Sequence, residues 1–312
     1  MFNLSKIYYL PILIHGMDME AQKLNVPAIF NLIDRFNKMD QLTLAGVEDE
    51  SPLVVYDELE PASVGAELGE FTRIERGQPA KVVAIDSSAI PIAYADRKWY
   101  LVFSAGVVLR GGDKHAPPYV FRVGPHIAEV GRREGDDGQR AARRLREYVE
   151  GSITLELLRG GVLEGRTLIL IDGSLRGLSA AECRAAKEGG VVLVGISKAT
   201  QVVPSSMESL PNGPGYSLIS DEGCYVVVAA RLEEYGVPLR IDATDLGGLP
   251  SLLSSDVIVR GYPDSLRIAH YSSIISTSEE EAALASLAMH GAALSRPLER
   301  RRVLLGALKI RG

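Results

Sequence analysis

Two aspartates occupy matching surroundings. Asp86 follows the aliphatic run KVVAI and precedes Ser87-Ser88; Asp172 follows TLILI and precedes Gly173-Ser174. Runs of this kind form strands covered on both faces, so the chain reaches a rim only where the strand ends. An acid at that rim stands where open α/β sheets hold their ligands. For a single aspartate the other reading is a turn or a helix cap. Two in one context point to a shared site.

A third carboxylate comes from helical spacing. Leu145, Tyr148, Val149 and Ser152 form a stripe at i, i+3, i+4 and i+7, and Glu156 continues it seven residues after Val149. The stripe predicts that Glu156 faces the sheet, unless Gly151-Ser152 breaks the helix and resets its phase. Glu164, in the turn-like GVLEGR, is the alternative. A buried carboxylate is unfavourable unless paired or metal-bound. Asp86, Glu156 and Asp172 together suit Mg²⁺ or Mn²⁺, which prefer oxygen ligands and keep positions open for water and phosphate. Such a site can activate water for phosphodiester hydrolysis.

The elements that must carry these acids follow from the patterning. Strand-like runs at KVVAID, WYLVFSAGVVL and PYVFRV predict an antiparallel trio. A charged helix is expected from about Asp136 to Leu158, then strands at TLILI and GVVLVGI separated by a short helix. The expected fold class is α/β, a mixed sheet flanked by helices. Residues 1–75 read as an N-terminal extension, helical and loop, suited to a dimer or partner contact; residues 76–312 read as the main domain. Ile29, Leu32, Ile33, Phe36 and Met39 mark a helix within that extension.

The 312 residues carry 46% hydrophobic and 24% charged side chains, an ordinary globular composition. The apolar run Ile7–Ile14 is too short to span a bilayer, so no membrane association is expected. Cys183 and Cys224 show no zinc spacing and read as reduced thiols of a cytoplasmic protein. A formal charge of −6 weighs mildly against nucleic acid, but two arginine clusters, at Arg132–Arg146 and Arg296–Arg311, offer local basic surfaces.

In chain order, AIDSS, a helix glutamate, LIDGSL, GISK, RIDA and GYPDSLRIAH resemble the NurA nucleases over roughly residues 81–290. The resemblance implies an RNase H-like core, a homodimer, and DNA degradation with Mn²⁺, Mg²⁺ being the other ion. It implies a 5′ to 3′ exonuclease and single-strand endonuclease. Such an enzyme works with a HerA-type hexameric translocase in DNA-end resection, double-strand break repair and homologous recombination. Carried over by motif, Asp86, Glu156 and Asp172 are metal-binding carboxylates. His270 is a further ligand or an aid to phosphate chemistry, Tyr262 an active-site residue, and Lys198 a contact for substrate phosphate. A turn at Pro263 must intervene for Tyr262 to approach His270. Asp242 is an additional acid or a turn former. His15, His115, His126 and His290 have no identifiable partners.

Two other functions share some of these features. An actin or sugar-kinase type phosphotransferase also places Asp, Gly and Ser after a strand, but it needs an internal duplication, and none is apparent. A non-catalytic RNase H-like scaffold would not need three acids at one rim. No GxxxxGK[ST] occurs, so DNA movement would have to be powered by a partner.

Overall fold

A computed structural model describes residues 26–38, 42–43, 68–95, 97–133, 137–160, 163, 165–197, 207 and 210–289. Ile7–Ile14, Glu164, Lys198, His15, His290 and the arginines from Arg296 onward lie outside the described residues.

The chain begins with α1 (Val26–Asn37), β1 (Leu42–Thr43) and β2 (Thr72–Arg73). Three long strands follow: β3 (Lys81–Ala95), β4 (Lys98–Arg110) and β5 (Tyr119–Gly131). Then come α2 (Gly138–Arg159), β6 (Thr167–Ile171), α3 (Ala180–Glu188) and β7 (Val191–Ser197). The last part holds β8 (Gly215–Asp221), β9 (Val226–Arg231), β10 (Leu239–Ala243), α4 (Gly248–Ser255), β11 (Ile258–Val259), β12 (Tyr262–Pro263), α5 (Asp264–Ser273) and α6 (Thr277–Met289).

One sheet gathers ten strands in the order β1-β5-β4-β3-β6-β7-β10-β9-β8-β2. β3, β4 and β5 are antiparallel neighbours, whereas β6 runs parallel to β3 and β7 parallel to β6. This is the expected mixed α/β sheet flanked by helices. Alternation along β3 feeds two cores. Val83 and Ile85 pack with α1, α2 and α3 on one face. Val82 and Ala84 pack with α4 and α5 on the other. Both are aliphatic because both faces are covered.

The described pieces of residues 1–75 join this same body. Ile29, Leu32 and Ile33 of α1 are buried in the first core, β1 pairs with β5, and β2 pairs with β8. Asn37 ties α1 to β5 by accepting from the Gly124 amide and donating to the Arg122 carbonyl.

Two expectations are corrected here. β3 does not end at Asp86 but continues nine residues further, to Ala95. Cys183 of α3 and Cys224 of the β8–β9 turn are not two separate thiols; they form a disulfide with Cα atoms 6.0 Å apart. Their separation of 41 positions conceals a contact that α3 makes by packing over the hairpin. Among the described residues no helix is long and apolar enough to cross a membrane.

Candidate active site

The two aspartates meet through strand register. Ile85 of β3 pairs in parallel with Ile171 of β6, so Asp86 and Asp172 occupy the next position on adjacent strands. Neighbouring strands lie about 4.8 Å apart. β6 ends there while β3 runs on. Side chains from both faces of the sheet can therefore meet in the gap beyond Ile171. Asp86 thus lies at the end of its neighbour rather than at the end of its own strand, and it is fully buried.

Helix α5 brings a histidine to this gap. His270 Nδ1 lies 2.7 Å from Asp86 Oδ2. The ring nitrogen that faces the carboxylate is Nδ1, which leaves Nε2 turned away from Asp86. The imidazole is half exposed, so it spans from the buried acid to solvent. Tyr262 reaches the second aspartate, donating its hydroxyl to Asp172 Oδ1 at 3.2 Å. The turn expected at Pro263 is present: β12 ends there and α5 starts at Asp264. His270 is on a helix, not at the end of a strand, and that compact path sets it and Tyr262 on neighbouring aspartates.

The glutamate beside Asp86 is Glu150, not Glu156. Glu150 is fully buried and accepts the Ser87 hydroxyl at 2.6 Å. Glu156 is instead 43% exposed at its side chain and pairs with Arg35 of α1 at 3.2 Å. Gly151 does not break α2, which is continuous from Gly138 to Arg159. Six residues set Glu156 about 9 Å of helix rise beyond Glu150 and about 120° from it round the axis, so the two leave different faces of α2. The stripe through Leu145 and Val149 gives one face, but the side of α2 that meets Asp86 and Ser87 is the flank carrying Arg146 and Glu150.

Arg146 completes the cluster. Its Nε donates to the Ser87 carbonyl at 2.7 Å, and Nη2 lies 3.3 Å from Asp86 Oδ1 and 3.9 Å from Glu150 Oε1. The sequence shows Arg146 only as part of a basic cluster, and the stripe through Glu156 predicts that Glu147 and Glu150 face away from the sheet, whereas both are buried. The usable signal was the i, i+4 spacing of Arg146 and Glu150, which aligns a cation and an acid on one helix face.

Like charges in a dry place leave a mark on this site. Burial, then the neighbouring Asp172 charge, push the Asp86 carboxyl above its ordinary range, against the pull of Arg146 and His270. Burial, then the charges of Asp172 and Asp86, hold the Tyr262 phenol protonated far above its usual value, with Glu150 adding to the effect. Tyr262 is therefore a hydrogen-bond donor at neutral pH. Among the described residues no three His, Cys, Asp or Glu side chains are placed so as to enclose an ion. The donor chemistry nevertheless fits a hard divalent cation. Hard oxygens from adjacent strand positions, with a third carboxylate acting on the same phenol, form a site whose negative charge a cation would relieve.

Asp242 is on β10, not in a turn, and is buried beneath the Asp172 loop. His115 lies in an exposed turn, where its amide donates to Asp113 Oδ1, and His126 packs its ring against Phe103.

No family model matches the sequence. No curated protein matches it either. Among solved structures it is similar to the NurA nuclease from Sulfolobus solfataricus, at 16% identity over 88% of this chain and 97% of that one, with a TM-score of 0.47. A NurA bound to dAMP and manganese is similar at 11% identity over 74% of this chain and 92% of that one, with a TM-score of 0.48. The catalytic domain of human Endonuclease V follows at 14% identity, 80% and 94% coverage, and a TM-score of 0.39.

Proposed function

We propose that this protein is a divalent-metal-dependent deoxyribonuclease acting at DNA ends. The observation that carries the reading is the Ile85–Ile171 register, which sets Asp86 and Asp172 side by side where β6 ends, with His270 and Tyr262 delivered onto them.

In this reading Asp86 and Asp172 hold Mn²⁺ or Mg²⁺, and Glu150 takes the helix position first assigned to Glu156. When bound, the ion would neutralise phosphate charge and lower the pKa of a water nucleophile. The chain's own groups supply orientation. Asp86 fixes the His270 ring so that Nε2 faces the open side, to meet the ion or a phosphate-bound water. Tyr262, held protonated, donates to Asp172 and fixes the rotamer of that carboxylate. Arg146 balances Asp86 and Glu150 from the α2 side and is partly exposed, so its guanidinium can also meet a phosphate oxygen. Lys198 keeps its proposed role as a phosphate contact.

The sequence resemblance to NurA adds the biological setting. We place the protein as a cytoplasmic homodimer that works with a HerA-type hexameric translocase in 5′ to 3′ resection of DNA ends. The test is cleavage of end-labelled single- and double-stranded DNA with Mn²⁺, Mg²⁺ or chelator, with and without the translocase. Metal-dependent loss of the label that disappears in Asp86→Asn supports the reading. DNA left intact under every condition overturns it, and so does ATP turnover by the isolated protein in its place.

A further inference from the structure

A second polar network lies beneath the first. Asp242 of β10 is 1% exposed, Arg240 is 6% exposed and Ser174 is fully buried. Arg240 Nε donates to Asp242 Oδ1 at 3.0 Å, and its Nη2 lies 3.3 Å from Oδ2. That same Oδ2 accepts the Ser174 hydroxyl at 2.8 Å and the Leu175 amide at 3.0 Å. Ser174 and Leu175 are two and three residues after Asp172.

Geometry explains how a residue two strands away reaches this loop. Ile171, Gly195 and Asp242 form one row across β6, β7 and β10. The middle position carries no side chain. A Cβ on Gly195 would lie 2.5 Å from the Gly173 oxygen and 3.4 Å from the Leu175 nitrogen. The loop after Asp172 therefore folds flat over Gly195, and the Gly173 amide donates a hydrogen bond to the Ile196 oxygen at 3.1 Å. A buried ion pair is weak evidence for stability as such, because desolvation offsets its Coulomb gain. Its value here lies in direction: it holds a fixed negative acceptor under the backbone that carries Asp172.

We propose that Asp242, braced by Arg240, is a positioning residue that locks the Gly173–Leu175 loop over Gly195 and so aims the Asp172 carboxylate at Asp86 and Tyr262. The function of this lock rests on the metal-site reading above. The lock itself rests on geometry alone. Partners that orient metal ligands from behind typically change metal affinity or activity 10–100-fold when removed.

The test uses the full chain with Asp242→Asn and Ser174→Ala. Two quantities are measured: amide hydrogen exchange of the peptide spanning Asp172–Leu178, and Mn²⁺ affinity by titration calorimetry. Asp242→Asn should speed exchange in that peptide about tenfold or more while other strands stay protected, and weaken Mn²⁺ binding about 10–100-fold. Ser174→Ala, which leaves the Arg240–Asp242 pair intact, should shift both in the same direction by less, and it decides the matter if Asp242→Asn does not fold. Wild-type exchange in the loop overturns the lock. Faster exchange with unchanged Mn²⁺ affinity overturns its service to Asp172. A wild-type protein that neither binds Mn²⁺ nor cleaves DNA overturns the nuclease reading instead, and loop exchange then still decides the lock.

Discussion

Gly106 stands directly opposite Asp86 in the β3–β4 ladder, and the space left by its missing side chain is occupied by helix α5. A Cβ there would overlap the Ala269 carbonyl and the Ser272 hydroxyl. Those residues bracket His270, so a single glycine sets the depth at which the histidine meets its aspartate. Gly106→Ala should lift α5 and lengthen the His270–Asp86 contact. Overpacking of this kind destabilises by about 1–3 kcal/mol. Misplacement of a reacting group by ~1 Å can slow chemistry about 100-fold. Melting and cleavage rate, measured together, check this. A variant that cleaves like the wild type would remove His270 placement from the mechanism.

Glu150 and Glu156 make opposite predictions. Glu150→Gln should reduce metal-dependent cleavage about 100-fold or more, since even partners outside a metal's ligand set are worth 10–100-fold. Glu156→Gln removes only a surface pair to Arg35, whose side chains are 70% and 43% exposed. Such pairs contribute about 0–1 kcal/mol, so stability and cleavage should both stay near wild type. The reverse pattern would restore Glu156 as the helix ligand.

Metal binding should also register as stability. Burial, and after it the charge of Asp172, raises the Asp86 carboxyl in the metal-free protein. A cation bound only by the folded state adds about 2.7 kcal/mol at 100 times its Kd. Mn²⁺ should therefore raise the melting temperature of the wild type and leave the Asp86→Asn/Asp172→Asn double variant unmoved. Calcium-free thermal scans with and without Mn²⁺ measure this directly. An equal rise in both proteins would place the ion elsewhere.

Arg110 holds the start of α5 from the opposite side. It is 4% exposed, its Nε lies 3.3 Å from Asp256 Oδ1, and it donates to the Ser265 hydroxyl at 3.3 Å. Arg110→Met leaves Asp256 as a buried charge without that cation, a loss of about 3–5 kcal/mol. Burial already pushes the Asp256 carboxyl above 3.8, and Arg110 pulls it down. Without Arg110 it should rise further. Because the folded value then exceeds the unfolded one, this group's contribution to stability is full below 3.8 and is lost as pH rises through the folded value. The deficit of Arg110→Met should thus shrink as pH falls. A deficit that grows in acid would contradict the buried-charge account.

Several features were legible in the sequence for a local reason. Strand and helix periodicity depend on neighbours a few residues apart, so the antiparallel trio, α2 and the matched settings of Asp86 and Asp172 could all be read from patterning. Turn chemistry at Pro263 belongs to the same class. Other features depended on how distant elements stack. That Asp86 lies mid-strand is invisible until β6 is seen to stop beside it. The rotation and level of α2 against β3, which bring Glu150 rather than Glu156 to Ser87, are fixed by packing, since an apolar stripe carries no axial origin and does not say which of its flanks meets the site. The disulfide of Cys183 with Cys224 and the reach of Asp242 past Gly195 to the Asp172 loop likewise join residues 41 and 67 or more positions apart. Local sequence chose which side chains could do chemistry. The tertiary structure chose which of them share one small buried volume, because only close packing brings charges together where water no longer separates them.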